Sequence, residues 1–496
     1  MDIFLSGLEI IARWDVIAAL LIGSIGGVMV GAMPGVGAAV AIAIMLPATF
    51  SLEPIVGLTA LLGIYGSSMF GGAIPAILIN TPGTPVNALT TYDGYPMTKR
   101  GEARRALSLA YSASFFGGVF SIFCLILLAP VLARIAPMFG AREIFLAAFL
   151  GIVLVVVTHR GQVLAAGMLV CYGIFLKTVG LEGAGYTQRY TFGQTWLASG
   201  VDLIVVVLGL FALSQAFILL SGKDQKYELP PMTKSGFFSS MAEILRFKRV
   251  ATVSSSLGVI CGIIPGVGEF MSQFLSYGYA QKTSKTPDLF GKGNPEGIIA
   301  SEAANNSVPA AAMIPLLALG IPGEELTAMM LSVFYVHNVV PGPQLFQDHM
   351  DFVVALYIAL FLLNVLVVLF LLVSTNSLMK VMLIPNRFLG MMILTFSLIG
   401  VYSLRNSLKD CAIAAAFGVF GFILKRLDWP TSPIILGMVL GGLMETKLRT
   451  AMARVETPWD FINRPIAFVL FSMIVIAIVL HVVSVVRDRR KVAGNA

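Results

Sequence analysis

The chain has 496 residues, of which 57% are hydrophobic and 12% charged, with a mean hydropathy of +0.89 and a formal net charge of +7. Soluble globular proteins are about one quarter charged, so this composition excludes a water-soluble enzyme or binding module and points to an all-α polytopic membrane protein. The positive balance fits lysines and arginines on the cytoplasmic side of a bacterial inner membrane; with so few polar segments it does not suggest nucleic-acid binding.

Taken in chain order, residues 1–15 include an apolar stretch without a basic leader or a small-residue cleavage site, so no cleaved signal peptide is expected. Residues 31–37, "GAMPGVG", then interrupt an apolar segment with three glycines and a proline. A second interrupted element follows, "SSMFGGAIPAILINTPGTPVN" (67–87), and after it the basic run "TKRGEARR" (98–105). Apolar runs at 107–133, 201–220, 352–373 (interrupted by Asn364) and 466–486 approach or exceed the roughly 20 residues that cross a bilayer. A charged linker, 222–249, precedes "GIIPGVG" (262–268), the basic "QKTSKTPDLFGKG" (281–293) and "NNSVPAAAMIPLLALGIPGEE" (305–325).

These features repeat. Gly31-x-x-Pro34-Gly35-Val36-Gly37 matches Gly262-x-x-Pro265-Gly266-Val267-Gly268 at an offset of 231; Ser67, Ile74-Pro75 and Pro82-Gly83 match Ser307, Ile314-Pro315 and Pro322-Gly323 at 240; "GIFLK" (173–177) echoes in "GFILK" (421–425) at 248. Three ordered echoes predict an internal duplication. Its halves are 14–221 and 250–445, with an extra transmembrane helix at 465–487 and about 10–12 transmembrane segments in all.

Loop charges predict that the halves are inverted. The loop 98–105 is basic while its counterpart 341–351 has no lysine or arginine; conversely 281–293 holds three lysines and its counterpart 46–54 none. One loop dissents: 446–464 falls on the outside yet carries Lys447, Arg449, Arg454 and Arg464.

Unpaired backbone groups are not tolerated in hydrocarbon, so broken helices survive where protein or a water-filled cavity surrounds them. In secondary transporters such breaks offer helix N-termini to anions and unwound carbonyls to cations. A single kinked helix would explain one break; a duplicated pair favours a substrate site. The residues expected to bind substrate are Gly35, Gly37, Ser67, Asn80, Thr81, Gly83 and Thr84 in the first half, and Gly266, Gly268, Asn305, Asn306, Ser307 and Gly323 in the second. Neutral amides and hydroxyls on a glycine-rich backbone suit a carboxylate, and the same Asn and Thr can also serve as helix caps.

Glu269 and Glu302 are candidates for binding a coupling sodium ion or proton, with a structural role as the alternative. Glu324 and Glu325 read as first-turn acids favoured by the helix dipole. Asp93, Lys99, Arg104 and Arg105 read as a solvated loop, with "YDGYP" (92–96) a turn that could dock a partner. No Walker A motif, metal-ligand cluster, serine–lysine pair or paired aspartates appears, which argues against catalysis, a metal site or an ATP-driven pump. The four cysteines, Cys124, Cys171, Cys261 and Cys411, stand singly among apolar residues and read as small hydrophobes rather than disulfides.

The motifs "GAMPGVG", "NTPGTP" followed by "DGYP" and "KRGEARRAL", "GKGNPEGIIASEAANNS", "IPLLALGIPGE" and "PGP" occur in an order that resembles the large membrane subunit of the tripartite tricarboxylate transporters, along nearly the whole chain. The resemblance implies a secondary transporter driven by an ion gradient. It implies two partners, a small four-helix membrane subunit and a periplasmic solute-binding protein, and substrates that are mostly carboxylates such as citrate. An ion-coupled carboxylate importer of elevator type is the expectation. A membrane-embedded enzyme, a channel and a transporter of a non-carboxylate solute are the competing readings.

Overall fold

The computed structural model describes residues 2–159, 161–182, 186–222 and 241–494, so linker residues 223–240 lie outside the described residues. The helices are α1 Asp2–Ala12, α2 Trp14–Gly31, α3 Gly37–Thr49, α4 Pro54–Ile79, α5 Thr90–Lys99, α6 Ala103–Ile135, α7 Ala141–Thr158, α8 Val163–Thr178, α9 Leu203–Val207 and α10 Ser214–Ser221, the last two joined by a π-helical turn at Leu208–Leu213. There follow α11 Lys248–Ile263, α12 Gly268–Thr283, α13 Pro295–Leu319, α14 Glu325–Val336, α15 Pro343–Asp348, α16 Met350–Leu378, α17 Asn386–Arg405, α18 Leu408–Arg426, α19 Ser432–Met452 and α20 Pro465–Gly494. Strand structure among the described residues is one pair of two-residue strands, Gly180–Leu181 with Gln188–Arg189.

Among the described residues eight helices are long and apolar enough to cross a membrane, which makes the protein an all-α polytopic membrane protein. The sequence expectation of about 10–12 segments is higher, and the broken elements fall short of the spanning length. Their limbs, such as Gly37–Thr49 and Glu325–Val336, are individually too short to span. The spanning helices differ sharply in environment: 94% of the apolar stretch of α4 is buried by protein, against 11% in α20. Helix α4 is the centre of a packed core, while α20 presents an apolar surface suited to lipid.

Two compact units are present. Residues 1–134 and 204–423 form one and contain all the broken elements. Residues 135–203 and 424–496 form the other, in which α7, α8, α19 and α20 pack together. In this second unit two of the four basic residues of the dissenting loop, Arg449 and Arg464, lie beside acids. Arg449 forms ion pairs with Glu182 and Glu445, Arg189 bridges the same two acids (2.8 and 2.7 Å), and Arg464 lies 4.0 Å from the buried Glu143. Arginines neutralised this way carry less of the free positive charge on which the orientation rule acts.

In the first unit the duplication is visible as matched contacts. Helices α2 and α4 run side by side in the same direction: Gly23 packs on Ala60, Gly27 on Ile64 and Ser67, Gly31 on Ser68 and Gly72. Helix α3 then runs back, so that Thr49 meets Gly57 at the start of α4. The second half does the same, Gly258 packing on Ala304 and Ser307, Gly262 on Val308 and Ala311, and Ser276 of the returning α12 donating to the Ala300 carbonyl at 2.9 Å. Each half is therefore a hairpin that enters, turns at PGVG and leaves at the end where it began. The third echo behaves alike: Gly173 packs on Ile434 within one unit, and Gly421 on Leu210 and Ser214 within the other.

The two hairpins open at opposite ends of the unit. The far end of the first half is marked by Thr98, whose hydroxyl donates to the Ile77 carbonyl at 2.7 Å. Beside it, Arg100 donates to the carbonyls of Lys292 (2.9 Å) and Gly293 (2.8 Å), at the base of the second hairpin. At the other end, His337, after the last turn of α14, contacts the Thr49 carbonyl (3.3 Å) at the base of the first. This is an inverted-topology repeat, as the loop charges predicted. The basic loops 98–105 and 281–293 meet at one end, and at the other the loop 46–54 meets the end of α14, which leads into the lysine- and arginine-free loop 341–351.

Candidate functional site

At each hairpin tip the chain needs backbone angles that side chains disfavour. Gly35, Gly37, Gly266 and Gly268 have φ of 79, 73, 80 and 59°. The tip is pinned by the second broken element of its own half. In the first half the Gly35 N–H donates to the Gly83 carbonyl (3.2 Å), and Gly83 approaches Gly31 so closely that a Cβ there would strike the Gly31 carbonyl. In the second half the Gly266 N–H donates to the Gly323 carbonyl (2.7 Å), and a Cβ on Gly323 would meet the Gly262 carbonyl. The offsets of 231 and 240 thus converge on one repeated contact.

The segments that pin the tips enter from the opposite end. After α4, Asn80 caps the helix in a left-handed conformation (φ 57°) and is exposed. The chain then dips back, with the Gly83 N–H donating to Gly72 and the Asn87 amide to the Met69 carbonyl (3.2 Å). Gly83 and Thr84 reach the tip; Asn80 and Thr81 stay at the end of α4, where Asn80 acts as the cap the alternative reading described. In the second half the same position beside the tip holds Glu324, whose carboxylate faces Gly268 as the Thr84 methyl faces Gly37.

Glu302 is fully buried on α13 and is met only by neutral donors. Its Oε1 accepts from Asn87 Nδ2 (3.1 Å) and Thr90 Oγ1 (2.5 Å), and its Oε2 from Ser114 Oγ (3.0 Å) and Asn306 Nδ2 (3.4 Å). Thr84 extends the network by donating to Asn87 Oδ1 at 2.5 Å, and Ser307 donates to the Gly117 and Ala303 carbonyls. Several charge-assisted bonds of about 1.5–3 kcal/mol each tie α13 of the second half to the dipping segment, α5 and α6 of the first. Ser67 and Asn305 are buried too, yet their side-chain polar atoms have no hydrogen-bond partner among the described residues.

Asp93 corrects an expectation. It is 0% exposed rather than solvated, and its Oδ1 accepts from the N–H groups of Gly291 (2.9 Å), Gly293 (2.9 Å) and Asn294 (2.8 Å), while Tyr277 donates to Oδ2 (2.8 Å). "YDGYP" is thus part of α5 and locks the first half to the base of the second hairpin. Arg105 is tied by ion pairs to Glu243 (2.5 Å) and Glu102 (2.7 Å). Asn87, Thr90, Ser114 and Gln273 were missed from sequence. The polar spacing of "VNALTTYD" was the available signal for the first two, and the i to i+4 step from Glu269 for the last.

A family model described as the tripartite tricarboxylate transporter TctA family matches residues 17–436. An uncharacterized 52.8 kDa protein in the TAR-I ttuC' 3' region of Agrobacterium vitis is 33% identical over 480 residues, covering 96% of this chain and 94% of its own. An uncharacterized protein in the TAR-II ttuC' 3' region of the same organism is 32% identical over 236 residues, 47% of this chain and 97% of its own. No solved structure matches. With a match spanning most of the chain and a full-length relative, this inverted-repeat membrane protein belongs to the tripartite tricarboxylate transporter TctA family.

Proposed function

We propose that the chain is the large transmembrane subunit of a binding-protein-dependent secondary importer of organic carboxylates, driven by a sodium or proton gradient across the bacterial inner membrane. Its partners in this reading are a small four-helix membrane subunit and a periplasmic solute-binding protein. The two broken elements of each half form the moving substrate site of an elevator-type cycle, and the basic loops face the cytoplasm.

The observation that carries the reading is the paired tip contact, Gly35 N–H to Gly83 and Gly266 N–H to Gly323, in hairpins that open at opposite ends. Broken helices meeting in the interior of a transporter-family protein are where substrate and ions are held in secondary transporters. The first tip suits a carboxylate. The N-terminus of α3 provides neutral backbone donors, and the Gln215 amide lies 3.8 Å from the Cβ position of Gly35.

The test is uptake of labelled citrate and of smaller dicarboxylates into liposomes holding both membrane subunits. Uptake that requires the binding protein and a sodium or proton gradient is expected. Uptake of a carboxylate that is indifferent to both gradients would overturn the reading.

A further inference from the structure

We infer that the second tip is a monovalent-cation site, built from Glu269, Glu324 and Gln273, and that the first tip holds no cation. This rests on the reading of the chain as an ion-coupled transporter and assigns the ion to one of two symmetry-related places.

The repeat allows position-by-position comparison. At an offset of 231, Ala38 becomes Glu269 and Ile42 becomes Gln273; at 240, Thr84 becomes Glu324 and Pro85 becomes Glu325. The fold is repeated while its chemistry is not. Glu269 and Glu324 are each 7% exposed, Gln273 is 1% exposed, and neither carboxylate forms an ion pair among the described residues. Among the described residues, Oε1 of both acids and both amide atoms of Gln273 have no hydrogen-bond partner. Gln273 lies one turn beyond Glu269 and so on the same face of α12. Glu324 Oε2 is 3.6 Å from the Cβ position of Gly268, which places the second carboxylate at the N-terminus of α12, where Glu269 is the next residue. Glu325 repels both.

The bland alternative is that helix dipoles hold these acids. Glu269 is in the first turn of α12, and Glu324 forms a capping box with Thr327 at the start of α14. A helix N-terminus stabilises an anion by about 0.3–1 kcal/mol, and by about 2 at best. Burying a carboxylate costs several kcal/mol, and a second and third carboxylate nearby adds repulsion. The dipoles fall short, whereas a cation supplies the missing term. Hard oxygen ligands from two carboxylates and an amide suit sodium, or a proton shared at the same carboxylates. Glu302 is not part of this site, because neutral donors already engage both its oxygens.

The test is binding of radioactive sodium to the purified protein at neutral pH with choline as the replacing cation, alongside proton uptake or release followed with an indicator dye. Saturable sodium binding is expected, lost at least tenfold in Glu269→Gln and Glu324→Gln, weakened in Gln273→Met, and unchanged in the exposed-loop variant Glu53→Gln. Each variant is checked for folding by its melting temperature in choline, which removal of an unpaired buried charge should leave unchanged or raise. Proton exchange without sodium binding, abolished by the same substitutions, assigns a proton to the site. Cation binding that persists in Glu269→Gln and Glu324→Gln overturns the site while leaving ion-coupled transport standing. Absence of any cation binding together with gradient-independent uptake overturns the transport reading as well.

Discussion

Beside the second glycine of PGVG, the first tip presents Ala38 and Thr84, and the second presents Glu269 and Glu324. The backbone around them is the same: positive φ at both glycines, the same carbonyl pinning each tip, and the same close approach of two helices through glycine. Duplication supplied two equivalent scaffolds, and substitution made one neutral and the other acidic. A neutral tip at a helix N-terminus accepts an anion, while an acidic one repels it and needs a counter-charge. Symmetry in the fold therefore marks where the sites are, and broken symmetry in the side chains marks what each can hold.

The comparison can be broken by exchanging its halves. Thr84→Glu places the second-half acid at the first tip and is expected to lower carboxylate uptake well beyond tenfold, since a like charge at the anion site costs several kcal/mol. Near wild-type uptake would detach the first tip from the substrate. Next in size is Glu302→Ala, which strands buried donors on Asn87, Thr90 and Ser114 at roughly 1–3 kcal/mol each. A melting temperature many degrees below wild type is expected, with Glu302→Gln recovering part of the loss; equal stability of Glu302→Ala and wild type would show that the network does not tie the halves together.

Asn305→Ala separates binding from folding. Its amide has no partner among the described residues, so stability should change by less than about 1 kcal/mol, yet uptake should fall severalfold if the amide meets substrate. Unchanged uptake rates would remove Asn305 from the site. The smallest effect is expected from Arg105→Ala at the basic end, where half-exposed ion pairs with Glu243 and Glu102 contribute about 0–1 kcal/mol. Thermal unfolding shifted by more than a few degrees would show that this end carries more than charge.

Much of the fold was legible because it rests on local signals. Proline and glycine mark the breaks, long apolar runs mark the spans, and constant offsets between "PGVG" strings and between Pro82-Gly83 and Pro322-Gly323 mark the repeat. Opposed loop charges carried the inversion. What escaped was non-local. Asp93 looks like a loop acid because its partners are backbone N–H groups about 200 residues away, which no spacing rule can see. The donors to Glu302 were hidden for the same reason, since Asn87, Thr90 and Ser114 come together only when the halves interlock. Asn80 shows the opposite error: it lies among residues that reach the tip but stops at the end of α4 as a left-handed cap.

The most direct test of the account is the sidedness of the two hairpin bases. In a background with Cys124, Cys171, Cys261 and Cys411 replaced, Ser51→Cys in the first base and Lys285→Cys in the second are exposed to a membrane-impermeant thiol reagent in sealed, oriented vesicles. The account predicts labelling of the two positions from opposite faces, Lys285→Cys from the cytoplasmic face and Ser51→Cys from the other. Labelling of both from the same face would contradict it.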